Sequence, residues 1–174
     1  GRPYDWMMGY EGNIDAAERD GYIMVSPKGY HPRAWYGSRG PGIPRMRRAE
    51  GDTEQLPQNL GELGEQDVMN VFEMVRKEFN IDENRMYLWG HSMGGAGTYH
   101  LAAEHPDLWA AVGVAAPAPS VEPDQLEDFK DVPIIVLQGD QDPLVTTTRT
   151  WVAKMKEIGM AHVYVEVKGG DHSR

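Results

Sequence analysis

The string Gly90-His91-Ser92-Met93-Gly94-Gly95 sets a serine between two glycines, each two positions away. A serine hydroxyl is a weak nucleophile at neutral pH, so it needs a base, and the base needs an acid to orient it. Two downstream segments supply such groups. Gly139-Asp140-Gln141-Asp142-Pro143 carries two aspartates, and Gly169-Gly170-Asp171-His172 carries a histidine. The order serine, aspartate, histidine suits nucleophilic acyl transfer through a covalent intermediate. Cysteine is absent, which excludes thiol nucleophiles, disulfides and cysteine-ligated metals.

Three such residues act together only if the chain brings three loops to one edge. Short apolar runs alternate with longer amphipathic ones, a pattern that predicts strands joined by helices around a largely parallel sheet, an α/β fold. Helices are expected over residues 13–20, 62–79, 93–104 and 149–158, with a short one near 124–130. Strands are expected over 22–25, 86–89, 111–114, 134–137 and 163–167, five in all. The 134–137 run, Ile134-Ile135-Val136-Leu137, reads as buried on both faces. Residues 28–61 are rich in Gly and Pro without periodicity, so they form a long excursion that covers or lines a site. The whole chain, 1–174, reads as one domain.

Ser92 falls between a predicted strand and a predicted helix. A tight turn there strains its backbone, and Gly90 and Gly94 are expected to remove collisions with the flanking elements. The helix start adds a favourable dipole and free N–H groups. The remaining candidates have plainer readings. His91 reads as packing beside the serine and His100 as a satisfied polar group, while His31 and His162 join no constellation. Trp89 and Trp109 read as core. Glu65 and Asp67 read as capping and dipole partners near a helix start. Trp35 and Tyr36 line an aromatic or sugar-binding pocket or pin the excursion to the core, both readings being open. The carboxylates do not converge with histidines, so no metal and no cofactor is expected.

Twenty-seven acidic against 17 basic residues give a net charge of −10, which argues against binding nucleic acid or anionic membrane. The basic cluster Arg45, Arg47 and Arg48 reads as a solvated loop next to Glu50, Asp52 and Glu54. No apolar run approaches the roughly 20 residues that span a bilayer.

These segments resemble the α/β-hydrolase family: Leu88 to Gly95 around the serine, Gln138-Gly139-Asp140-Gln141-Asp142-Pro143-Leu144-Val145, and the glycine pair before His172. Gly12-Asn13-Ile14, Gly21-Tyr22-Ile23, Trp35-Tyr36-Gly37 and Gln66-Asp67-Val68 are similar to esterases related to polyhydroxybutyrate depolymerases, feruloyl esterases and acetyl xylan esterases. The resemblance implies that Ser92 attacks an ester carbonyl, that His172 moves the proton, and that Asp142 rather than Asp140 orients the imidazole. It further implies an oxyanion donor at the Met93 N–H, with the second donor not in this chain. Trp35, Tyr36, Leu144 and Val145 become candidate substrate contacts, and the substrate a small-molecule or polysaccharide-linked ester with a small or aromatic acyl group. Prolyl-oligopeptidase-type peptidases share the turn, and a non-catalytic relative or inactive fragment is the third reading. The family places a strand between those expected at 22–25 and 86–89, and that strand, the first two and the last helix are not found. They are expected from chain outside this sequence or from another polypeptide. Secreted or periplasmic placement is favoured by the resemblance.

Overall fold

The structure, a computed structural model, describes residues 4–10, 12–45 and 51–173. Arg47, Arg48 and Glu50 of the basic loop lie outside the described residues.

Four strands, β1 (Tyr87–His91), β2 (Ala111–Ala115), β3 (Ile134–Gly139) and β4 (His162–Val167), form one parallel sheet in the order β1-β2-β3-β4. The helices are α1 (Asn13–Asp20), α2 (Leu60–Glu78), α3 (Met93–Glu104) and α4 (Val145–Glu157). The expected short helix is a 3-10 helix over Pro123–Phe129. In α2 the apolar stripe turns Val68 inward, and Phe72 meets Trp109 edge-on at 5.7 Å. Glu62 in its first turn and Arg76 and Lys77 in its last complement the helix dipole.

The sheet is covered on one face. Val112, Val114, Ile134 and Val136 point towards α3, α4 and the 3-10 helix, where Tyr99, Leu126, Phe129, Trp151, Val152 and Met155 complete the core. Alternation sends their neighbours to the other face, and there Tyr87, Trp89, Ile135, Val163, Val165 and Val167 are all exposed. Two expectations are thereby corrected. Strand 134–137 is buried on one face alone, with Ile135 43% exposed, and Trp89, expected in the core, is 41% exposed. Each exposed Val or Ile forgoes much of the roughly 1.5–3 kcal/mol that complete burial contributes. Trp109, by contrast, is buried as expected.

The fifth expected strand, residues 22–25, is also corrected. This segment runs without helix or strand structure, and Tyr22, Ile23 and Val25 are exposed. Its apolar, partly β-branched composition favours a strand, but a strand exists only with a partner backbone. The segment passes beside β1, where the Tyr22 and Tyr87 rings meet edge-on at 5.7 Å and Arg85 lies over Tyr22.

Between α1 and α2 the described chain holds one 3-10 turn, Trp35–Gly37, and is tied to α2 and α3. The Asp67 carboxylate accepts the N–H groups of Gly29 and Tyr30, and Glu65 accepts from His100 at 2.8 Å, with His105 3.6 Å away. Both carboxylates, read as capping partners, hold distant segments instead. Tyr36, at φ 54°, sets its ring against Gly29 and Gly97. A Cβ on Gly97 would stand 2.8 Å from the Tyr36 Cβ, so this approach requires glycine.

Candidate active site

Ser92 links the end of β1 to the start of α3 at φ 55°, ψ −112°, a left-handed conformation that costs an L-residue energy. The surrounding backbone holds it there. Its N–H donates to the Ala115 carbonyl, and its own carbonyl accepts from Ala96 and Ala118. The close approach at this turn comes from one side: a Cβ on Gly90 would stand 2.3 Å from the Gly94 carbonyl, whereas one on Gly94 would meet nothing within 4 Å. The expectation that both glycines relieve collisions with the flanking elements therefore holds for Gly90, with Gly94 as the backbone that it clears.

The loops after β3 and β4 bring the other two groups to this turn. The Ser92 Oγ and His172 Nε2 are 2.9 Å apart, and His172 Nδ1 and Asp142 Oδ2 are 2.8 Å apart. A carboxylate only accepts, so Nδ1 carries the proton and Nε2 accepts from the serine hydroxyl. The Asp142 side chain is 0% exposed, against 39% for that of His172. Burial pushes the Asp142 pKa up, but hydrogen bonds from the Leu144 N–H, His172 and Gln138 outweigh it and hold the group below its ordinary value. It is therefore a fixed anion behind a solvent-facing imidazole.

Asp140, the other aspartate on this loop, has a different task. Its Oδ1 accepts from the Gly169 N–H at 2.7 Å and from Gln141, so it ties the β3 loop to the β4 loop. His91 donates from Nε2 to the His172 carbonyl at 2.7 Å, and its ring lies 5.1 Å from that of His172 and 5.3 Å from that of Trp6. Met93 opens α3, where the first backbone N–H groups lack intrahelical acceptors. Leu144 serves Asp142 through its backbone at 2.8 Å, and Val145 begins α4. Trp35 is half-buried with the Arg39 guanidinium 3.6 Å from its ring centroid. The excursion reaches this end of the sheet, since Ser120, on the loop after β2, donates to the Ser38 carbonyl at 2.7 Å.

Sequence reading missed Gln138 and Thr148. Both are buried, and the Thr148 hydroxyl donates to Gln138 Oε1 at 2.7 Å. The signal was available, because Gln138 breaks an apolar alternation begun by Ile134 and Val136. Among the described residues no group of three or more His, Asp or Glu converges to hold a metal ion, and no helix is long and apolar enough to cross a membrane.

Comparison with known proteins bears on this arrangement. The Prolyl oligopeptidase family matches residues 53–129, a stretch that includes the Ser92 turn and stops before the Asp142 and His172 loops. Cutinase 2 of Thermobifida cellulosilytica is 32% identical over 53% of this chain and 34% of its own length. A bifunctional acetylxylan esterase/xylanase of Neocallimastix patriciarum is 35% identical over 74% of this chain and 16% of its own length. Among solved structures, a thermostable esterase superposes with a TM-score of 0.55 at 36% identity, covering 60% of this chain and 28% of that one. A ferulic acid esterase superposes at 0.51 and 19% identity, covering 60% and 51%. The chain spans about a third or less of the curated relatives' length. Parallel sheet, strained serine turn and these matches define the class of fold: the chain carries part of an α/β-hydrolase fold. Within that class, the relatives named here are esterases and cutinases.

Proposed function

We propose that this chain carries the catalytic groups of a serine carboxylesterase. The observation that supports it most strongly is the hydrogen-bonded series from Ser92 through His172 to the buried Asp142. In this reading the Ser92 Oγ attacks the ester carbonyl carbon as its proton passes to His172 Nε2. The tetrahedral intermediate collapses, the C–O bond to the alcohol breaks, and His172 returns the proton to the leaving oxygen. Water then attacks the acyl-enzyme by the same route and releases the acid. Asp142 stays ionised throughout and stabilises the imidazolium. The Met93 N–H is assigned to the developing oxyanion.

The second oxyanion donor is assigned to a strand outside this sequence. Two observations support that reading: among the described residues β1 ends the sheet with one edge unpaired, and residues 22–25 run beside it without pairing to it. The acyl pocket is assigned to the excursion with Trp35 and Tyr36, and to Leu144 and Val145 beside Asp142. The cutinase and acetylxylan esterase relatives support a small or polysaccharide-linked ester as substrate. The match to the Prolyl oligopeptidase family favours a second reading, a peptidase.

The test is burst-phase hydrolysis of a short-chain p-nitrophenyl ester, run beside a proline-containing peptide anilide. An ester burst that disappears in Ser92→Ala is expected, with the anilide left intact. Equal ester rates in the two proteins would overturn the reading, and cleavage of the anilide alone would replace it with the peptidase.

A further inference from the structure

We propose that Asp140 is a positioning residue for the base: its carboxylate fixes the turn that precedes His172, so that the imidazole meets Ser92 and Asp142 together. The inference rests on the serine-hydrolase reading above.

His172 stands two residues beyond a pair of glycines, Gly169 and Gly170, on the loop that leaves β4. Glycine gives a backbone its widest choice of conformations. Gly169 uses that freedom, at φ 73°, to turn the chain. Gly170 passes so near the β3 end that a Cβ on Gly139 would stand 2.2 Å from its carbonyl oxygen. A base held for proton transfer cannot share such freedom, because a misplacement of about 1 Å can cost about a hundredfold in rate.

Backbone hydrogen bonds restrain the ends of the turn. The Gly170 N–H closes it on the Val167 carbonyl at 3.1 Å, the same carbonyl accepts from the Asp140 N–H at 3.1 Å, and the Gly170 carbonyl accepts from the Gln141 N–H at 2.9 Å. The middle of the turn is the Lys168–Gly169 peptide. Four-residue turns exist in forms that differ by rotation of this central peptide, and its N–H is not the one that closes the turn. Asp140 Oδ1 accepts that N–H at 2.7 Å, a short distance of the kind made to a carboxylate, and so holds one of the two forms. Beyond the turn His172 is committed at three points: its carbonyl to His91 at 2.7 Å, Nδ1 to Asp142 at 2.8 Å and Nε2 to Ser92 at 2.9 Å. All three are met at once only when the chain arrives in the right direction. One loop thus supplies the acid through Asp142 and aims the base through Asp140.

The experiment follows phosphonylation of Ser92 by an alkyl fluorophosphonate, in which the Oγ–P bond forms, the P–F bond breaks, fluoride leaves and the serine proton passes to His172. Intact mass gives the rate across reagent concentrations, which separates the limiting chemical rate from reagent binding. The purified protein is compared with Asp140→Ala, Asp140→Asn and Gln141→Ala, with thermal melts and the low-field proton resonance of the His172 Nδ1–H recorded beside them. Asp140→Ala is expected to lower the limiting rate about tenfold or more, the effect of one hydrogen bond to a charged group. Half-saturation should stay unchanged, and the Nδ1–H resonance should weaken. Asp140→Asn keeps an oxygen for the Gly169 N–H and should recover most of the rate and the resonance. Gln141→Ala removes the other donor to Oδ1, 3.0 Å away, and should behave as wild type. Asp140→Leu, of similar bulk without an acceptor, repeats the test should the alanine variant not fold. A folded Asp140→Ala or Asp140→Leu with the wild-type limiting rate and resonance overturns the inference and leaves the esterase reading standing. So does equal slowing in Asp140→Ala and Asp140→Asn, which would trace the effect to lost charge rather than to the bond. A wild-type protein that takes no label at Ser92 overturns both.

Discussion

Replacing Gly90 by alanine tests the serine turn at its tightest point. The added Cβ would stand 2.3 Å from the carbonyl carbon and oxygen of Gly94, and 2.9 Å from its Cα. These are backbone atoms, so no rotamer change relieves the overlap. Ordinary contact begins near 3.4 Å, and the two segments must part by about 1 Å. Overpacking of this kind costs roughly 1–3 kcal/mol, or about 2–12 °C in melting temperature for a domain of this size. The chemical cost is larger, because a displacement of about 1 Å at a nucleophile can reduce rates about a hundredfold. Gly94→Ala is the control. Its Cβ meets nothing within 4 Å, and alanine in a helix gains up to about 1 kcal/mol over glycine. Fluorophosphonate labelling of Ser92 and thermal melting, measured on both variants, separate the cases. Gly90→Ala should lose labelling and stability while Gly94→Ala keeps both. Equal loss in the two variants, or a greater loss in Gly94→Ala, would refute the one-sided approach described for this turn.

Two further outcomes are expected. His91→Ala removes the donor to the His172 carbonyl; one such bond is worth about 1 kcal/mol, so kcat for ester hydrolysis should fall about fivefold with KM little changed, read by steady-state kinetics. Glu166 is held down to about 2, first by its hydrogen bond from Arg149 and then by Tyr164. Because its folded value is depressed, the stability it supplies is present above its unfolded value near 4.5 and is lost as pH falls towards 2. In Glu166→Gln the dependence of melting temperature on pH should flatten across that window and remain unchanged above it.

Local pattern and long-range pairing divide what the sequence could reveal. The stripe of α2, the small residues of α3 and the β-branched run of β3 carry their periodicity within themselves, and those elements lie within two or three residues of expectation. The Ser92, Asp142 and His172 loops were legible because each is punctuated by glycine at a strand end. Residues 22–25 were misread since nothing in them states whether a partner strand adjoins. Helix α4 begins at Val145, four residues before the expected start, because Thr146, Thr147 and Thr148 are weak helix formers that tertiary contacts overrule. Glu65 and Asp67 looked like local caps, yet their partners lie 35 or more residues away. Trp89 was expected to be buried because its type is usually covered, and the exposure of one sheet face is a property of neighbours rather than of the residue.

In this sheet every strand lies beside its neighbour in sequence, so the layers can be laid down in the order in which a ribosome delivers them. Chemistry does not keep pace with that growth. Ser92 is fixed at the first strand, and its hydrogen-bond partner His172 arrives 80 residues later, beyond the fourth. Until that loop docks, the serine has no base beside it and is an ordinary alcohol. Labelling at Ser92 therefore records the docking of the final loop, and serves as a clock for completion of this part of the fold.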